Sequence, residues 1–257
     1  MNQEERIEVL LKYLLNEHEE YKDIEIPNDL DEKKLLLRGL MNVRNASEVD
    51  PEILEIQGAY LKEENQLKGI VDINDLRPLK DHLYLWQGDI TSLKVDAIVN
   101  AANSGMTGCY VPNHKCIDNC IHTYAGMQLR NECSKIMKVQ GYPEPTGKAK
   151  ITKGYNLPCR YIIHTVGPII QYKVSDQQIE QLKSCYQECL KLADEYQLES
   201  IAFCCISTGE FHFPNELAAE IAIQTVQEQL QQCKYIKKVI FNVFKERDKE
   251  IYEQLLR

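Results

Sequence analysis

Cys109, His114 and Cys116 lie together in the stretch GCYVPNHKCIDNCIH, residues 108–122, with Cys120 and His122 following. Thiolates and imidazoles favour zinc over magnesium or calcium. A catalytic zinc generally takes three protein ligands and leaves a fourth position for water or substrate; these three residues supply that number. The four residues between Cys109 and His114 let the chain curl back, and the single residue between His114 and Cys116 lets both face one ion. The spacing is not that of a C-x-x-C finger. Alone it also admits two buried thiols with a surface histidine, or a nucleophilic cysteine beside His114. A metal suits two flanking thiols better, because nucleophilic catalysis needs only one. Cys120 reads as a helical core residue, and His122 as a hydrogen-bonding residue on the helix rather than a fourth ligand.

The elements that would position this stretch alternate. HLYLWQG, VDAIVNA, RYIIHTV, ESIAFCCIS and KKVIFNVF are short apolar runs rich in β-branched and aromatic residues, which read as strands. Helical patterns fall near 117–133, 176–196, 215–232 and 246–256. Such alternation predicts an α/β sheet with helices on both faces. Open α/β sheets bind ligands past the carboxyl ends of their strands. Three polar turns fall there: GDITSLK, NAANSGMTGCYVPNHKC and STGEFHFP. Residues 1–80 differ, reading as a small helical extension before an 81–257 α/β domain. Ile7, Leu10, Leu11, Leu14 and Leu15 recur at helical spacing, as do Leu36, Leu40 and Val43, and Asp50-Pro51 reads as an N-cap and first helical residue.

Composition narrows the function. A net charge of −9 argues against a nucleic-acid footprint, while helix N-termini and backbone amides can still hold small anions. No apolar run approaches the ~20 residues of a membrane helix, and the acidic N-terminus lacks signal-peptide features, so the expected location is the cytoplasm. Six further cysteines, Cys159, Cys185, Cys189, Cys204, Cys205 and Cys233, are dispersed and read as small buried hydrophobes. No G-x-G-x-x-G or G-x-x-x-x-G-K-[ST] occurs, which disfavours a dinucleotide dehydrogenase or P-loop enzyme.

Three segments in order, QGDIT…VDAIVNAAN, PTGKAKITKGYNLPCRYIIHTVGP and ISTGEFHFP, resemble the macrodomain, the ADP-ribose-binding α/β/α fold, over roughly residues 82–257. Most macrodomains place a glycine-rich loop after NAAN. Here GCYVPNHKC stands instead, and with the helical extension it resembles the zinc-containing microbial macrodomains. The resemblance implies a three-layer α/β/α fold with a mixed sheet, and one zinc held by Cys109, His114 and Cys116.

By the same resemblance, Asp118 in IDNCIH matches the water-orienting aspartate of VDGAIH-type segments in hydrolytic macrodomains; the plain alternative is a first-turn charge favoured by the helix dipole. Asp89 matches the aspartate that accepts from the adenine amino group, with Ile90 adding backbone contact, and its plain alternative is a turn residue capping local amides. Asn103 matches the distal-ribose contact, while Asn100 is expected to organise the turn. Ser207, Thr208, Gly209, Glu210 and Phe211 match the second phosphate loop. Phe244 reads equally as an adenine-stacking or a core aromatic. The implied activity is zinc-dependent hydrolysis of mono-ADP-ribose from modified proteins, at ester-linked acidic side chains. The alternatives are a non-catalytic ADP-ribose reader or an O-acetyl-ADP-ribose deacetylase. Some zinc-containing relatives are encoded beside a sirtuin-like transferase and a lipoylated carrier protein, which makes such a carrier an expected substrate.

Overall fold

The computed structural model describes residues 1–257. Three helices open the chain, α1 (Gln3–Asn16), α2 (Leu30–Val43) and α3 (Pro51–Lys68). Each begins with a side-chain cap: Asn2 closes a capping box on α1, Asp29 accepts from the amides of Asp31 and Glu32, and Asp50 accepts from Glu52 with Pro51 behind it. Their shared core contains the whole Ile7–Leu15 stripe. On α2, however, the buried apolar residues are Leu37, Leu40 and Met41, not Leu36 and Val43. The stripe is rotated because α2 packs on two sides, against α1 and against a helix of the α/β part.

After this come β1 (Val71–Asp72), β2 (Leu83–Gln87), β3 (Leu93–Lys94) and β4 (Ala97–Ala101). The order continues with α4 (Ile117–Ala125), α5 (Met127–Gln140), β5 (Ala149–Lys153), β6 (Tyr161–Thr165), α6 (Asp176–Glu195), β7 (Ser200–Phe203), α7 (Asn215–Leu230), β8 (Lys238–Val243) and α8 (Glu246–Leu256). Six strands form one sheet in the order β2-β8-β7-β4-β6-β5, parallel except for β5, which runs antiparallel to β6. The short strands β1 and β3 pair separately. Helices α6, α7 and α8 pack on one another in one layer, and α4 and α5 with the extension in another. The expected mixed-sheet α/β/α architecture is therefore the observed one.

The single helix expected over 117–133 is two. Gly126, at φ 97°, breaks it into α4 and α5. A Cβ there would meet Gln57 Nε2 at 2.7 Å and Asn156 Nδ2 at 2.9 Å, so the extension presses directly on the break. Gln57 also accepts from the freed Met127 amide at 2.9 Å. Of the six cysteines expected to be buried, Cys159, Cys185, Cys189 and Cys204 are, whereas Cys205 and Cys233 are half-buried. Phe244 is 76 % exposed, which rules out the core reading. No helix is long and apolar enough to cross a membrane.

Candidate functional site

Because β2, β8, β7 and β4 run parallel, the turns that follow β2, β4 and β7 all leave the carboxyl end of the sheet. The turn after β4 runs through Asn103 to Gly108, whose φ of 86° brings its backbone hard against the His122 ring; a Cβ there would lie 2.7 Å from that ring. Beyond Gly108 the chain curls through Cys109–Cys116 and enters α4. Cys116 is the N-cap, its Sγ accepting from the Asn119 amide at 3.4 Å.

The ligand atoms of Cys109, His114 and Cys116 lie within 4.8 Å of one another, with Cys109 Sγ 3.6 Å from His114 Nδ1. Zinc–ligand bonds of ~2.0–2.3 Å put tetrahedral neighbours about 3.5 Å apart, so two thiols and an imidazole at these spacings fit zinc with little closure. All three residues are half-buried, which leaves a side open to solvent. Burial, against the pull of the Asn119 amide, pushes the Cys116 thiol up to about 12.

Asp118 sits at the second position of α4 and is buried. Asn100 donates to its Oδ1 at 2.8 Å and Asn103 to its Oδ2 at 3.2 Å. Burial pushes the carboxyl up to about 6, against the Asn100 hydrogen bond and the charge of Arg130, which lower it. Its Oδ1 is also 3.6 Å from His122 Nε2. That contact is not an ion pair, because burial and the neighbouring His164 and Arg130 hold His122 well below its ordinary pKa and therefore neutral.

Behind the carboxylate lies a second cluster, His122, Cys133 and His164, with ligand atoms also within 4.8 Å. It is a core cluster whose central His164 has no ring nitrogen left for a metal. Asn100 Nδ2 can only donate, so His164 Nδ1 accepts at 3.1 Å and its Nε2 carries the proton, donated to Thr152 Oγ1 at 2.9 Å. Both His164 nitrogens are thus committed. His122 makes no hydrogen bond, and a cavity of about 10 Å³ beside it is the size of one water.

The turn after β7 lies across from the ligand loop: His114 Nε2 is 3.8 Å from Glu210 Oε1. Ser207 is buried at φ 65° with its Oγ unpartnered, packed so closely on Gly167 that a Cβ there would strike it. The turn is closed by His212 and Phe213 amides donating to the Gly209 and Ser207 carbonyls at 3.1 and 2.9 Å. The amides of Gly209, Glu210 and Phe211 donate to no acceptor within the chain. Neighbouring free amides in a turn make an anion-binding concavity.

After β2, Asp89 caps a short 3-10 turn, accepting from the Thr91 amide at 3.0 Å and the Thr91 hydroxyl at 2.7 Å, with Ile90 buried beside it. Its other oxygen accepts from Lys68 Nζ at 3.0 Å, and Lys68 lies over the Tyr124 ring of α4. Burial raises the Asp89 carboxyl, but Lys68 and Thr91 outweigh it and hold it below the usual range. Lys68 ends α3 and carried no signal in the sequence. Arg38 and Asn42 offered only a slight one, two polar residues one turn apart on the amphipathic α2. Cys120, expected in the core, is half-buried with its Sγ 3.5 Å from the Arg38 guanidinium. A separate hollow of about 310 Å³ lies at the amino ends of the strands. Most of its charges are paired off, Lys94 with Asp72, Arg160 with Asp96 and Lys237 with Glu199, and Lys238 donates to Asn74 Oδ1 at 2.7 Å.

A family model, "Macro domain", matches residues 99–222, the span from β4 into α7. A protein-ADP-ribose hydrolase of Treponema medium is 52 % identical over the full length of both chains. The chain belongs to the macrodomain family. Among other relatives of this macrodomain, a protein-ADP-ribose hydrolase of Staphylococcus aureus (strain MSSA476) is 50 % identical over 95 % of this chain and 94 % of its own. ADP-ribose glycohydrolase MACROD1 of Bos taurus is 46 % identical over 70 % of this chain and 53 % of its own length. Among solved structures, the Trypanosoma brucei macrodomain in complex with ADP-ribose superposes with a TM-score of 0.67 at 31 % identity, over 82 % of this chain and 93 % of that one.

Proposed function

We propose that this macrodomain is a zinc-dependent protein-ADP-ribose hydrolase that releases mono-ADP-ribose from ester-linked acidic side chains. Hydrolase-named relatives identical at about half of their positions place the chain in the enzyme class. The observation that carries the finer reading is the junction of two groups at one strand end: three soft donors within 4.8 Å, two residues ahead of a buried carboxylate gripped by two asparagine amides. A pure binding module has no need to bury a carboxylate in that position.

Cys109, His114 and Cys116 would hold the ion, which when bound supplies Lewis-acid polarisation of an oxygen at the ADP-ribose linkage. Asn100 and Asn103 fix the orientation of the Asp118 carboxylate, which accepts a proton from the attacking water as general base. Asn103 faces the distal ribose. The free amides of the Gly209–Phe211 turn hold the diphosphate, and Asp89 accepts from the adenine amino group beside Ile90. Ser207 and Thr208 shape the same turn. The substrate is a cytoplasmic mono-ADP-ribosylated protein, a lipoylated carrier modified by a sirtuin-like transferase being the specific candidate.

The test is zinc content together with turnover of a protein mono-ADP-ribosylated on glutamate, in wild type, Cys116→Ala and Asp118→Ala. About one zinc per chain, lost with turnover in Cys116→Ala, supports the reading; a metal-replete wild type without zinc sinks it. ADP-ribose binding without hydrolysis of any linkage would make the protein a reader.

A further inference from the structure

The ligand loop does little to hold its own shape. Between Cys109 and Cys116 its one internal backbone hydrogen bond is the His114 amide to the Val111 carbonyl, at 3.2 Å. Asn113 sits at φ 56°, left-handed backbone that asparagine tolerates, and the loop otherwise takes its support from outside. Much of that support comes from α2. Arg38 Nη2 donates to the His114 carbonyl at 2.8 Å, and Asn42 Oδ1 accepts from the Asn113 amide at 3.0 Å. Gly39 lies between them on the helix, and a Cβ there would touch Asn113 and Pro112. One face of α2 is thus laid along the loop.

The same two side chains also brace the loop from behind. Arg38 Nη2 donates to Asn119 Oδ1 at 3.1 Å, which orients the Asn119 amide to donate to the Val111 carbonyl at 3.0 Å. Asn42 Nδ2 donates to Thr123 Oγ1 at 2.9 Å, and Thr123 Oγ1 donates to the Asn119 carbonyl at 2.7 Å. Asn42 is almost wholly buried, so neither of its bonds can be replaced by bulk water.

We infer that Arg38 and Asn42 are positioning residues for the metal centre: the helical extension shapes the loop so that the three donors converge before an ion arrives. The inference rests on the zinc reading above. Outer partners that orient metal ligands typically change metal affinity ~10–100-fold when removed.

The experiment uses the full chain and three variants, Arg38→Met, Asn42→Ala and Lys33→Met. Lys33 is a buried control on the same helix that faces α1, where it pairs with Glu4 and Glu8 at 2.7 and 2.9 Å. Zinc affinity is read by chelator competition, ligand geometry by the absorption bands of the cobalt-substituted protein, and loop order by amide exchange over 109–116 in metal-free protein. Arg38→Met and Asn42→Ala are expected to weaken zinc by ~10–100-fold, shift the cobalt bands and speed loop exchange. Lys33→Met should lower Tm while keeping all three readouts at wild type. Zinc affinity within twofold of wild type in both α2 loop variants, or equal losses in Lys33→Met at matched Tm, overturns the inference. If wild type takes up no zinc, the zinc reading fails separately. Loop exchange still decides the anchoring claim: faster in Arg38→Met than in Lys33→Met upholds it, and equal exchange overturns it.

Discussion

The two turns that face each other across the cleft are built in opposite ways. The ligand loop is clamped from three sides, by α2 through Arg38 and Asn42, by α4 through Asn119, and by α5 through Arg130, which donates to the Cys109 carbonyl at 3.5 Å and to the Thr107 carbonyl just ahead of the loop at 2.7 Å. The Ser207–Phe211 turn is closed mainly by its own backbone and leaves Gly209 and Glu210 exposed. One wall holds its side chains in place, and the other presents free backbone amides. Preorganisation matters most where charge must be stabilised during reaction, and a diphosphate needs only amides within reach. The contrast teaches where substitutions should be felt as chemistry and where as affinity.

The sharpest break is Cys116→Ala, expected to remove zinc and cut turnover by about 10³-fold or more, as several kcal/mol of metal stabilisation implies; zinc content and turnover check it together. Next is Asp118→Asn, expected to keep the zinc and lower kcat by ~10²–10⁴-fold. Loss of zinc in that variant would show that the carboxylate serves the loop and not the reaction. A third pair tests rigidity directly. Gly108→Ala puts a Cβ 2.7 Å from the His122 ring at φ 86°, and should destabilise by ~2–4 kcal/mol. Gly209→Ala meets open space and should stay within ~0.5 kcal/mol. Equal thermal shifts in the two would erase the distinction between the walls.

The smallest effect is on pH. Burial lowers His164 to about 3 from the ordinary histidine value of 6.5. The unfolded chain therefore takes up the proton first, so stability from this group is complete above pH 6.5 and lost as pH falls below it. Its share is about 1.4 kcal/mol per pH unit; His122, shifted the same way, adds to it, while Asp118, raised to about 6, works the other way as pH falls and offsets part of the loss. Urea midpoints of chelator-treated protein at pH 7, 6 and 5 should fall accordingly. A flat profile would mean that the network behind the loop already holds a proton.

Local signals were the legible ones. The Ile7–Leu15 stripe, the Asp50-Pro51 start, the alternation of strands with helices and the crowding of donors around residue 109 are each set by spacing along a few turns of chain. The convergence of Asn100, Asn103 and Asp118 was reachable too, because it joins a strand end to the next helix. What stayed hidden depends on distant packing. The rotation of the α2 stripe comes from a second packing surface, and the break at Gly126 from Gln57 pressing on it across the interface. Lys68 on Asp89 and Arg38 on His114 join residues far apart in sequence, and a lone lysine or arginine on an amphipathic helix usually marks only its solvated side. The antiparallel β5 carries no long apolar run, since it lies at the sheet edge with most of its residues half-exposed.

The strand order also constrains how the chain can be made. β2 enters the sheet first but pairs only with β8, which emerges after every other strand. During synthesis, residues 83–87 must wait unpaired while about 150 more residues follow, an interval of ~10–30 s at ordinary elongation rates. Asp89 follows closely on β2, so its side of the cleft is assembled last. A nascent chain stalled before residue 238 would leave β2, and the turn that carries Asp89, without the strand that seats them.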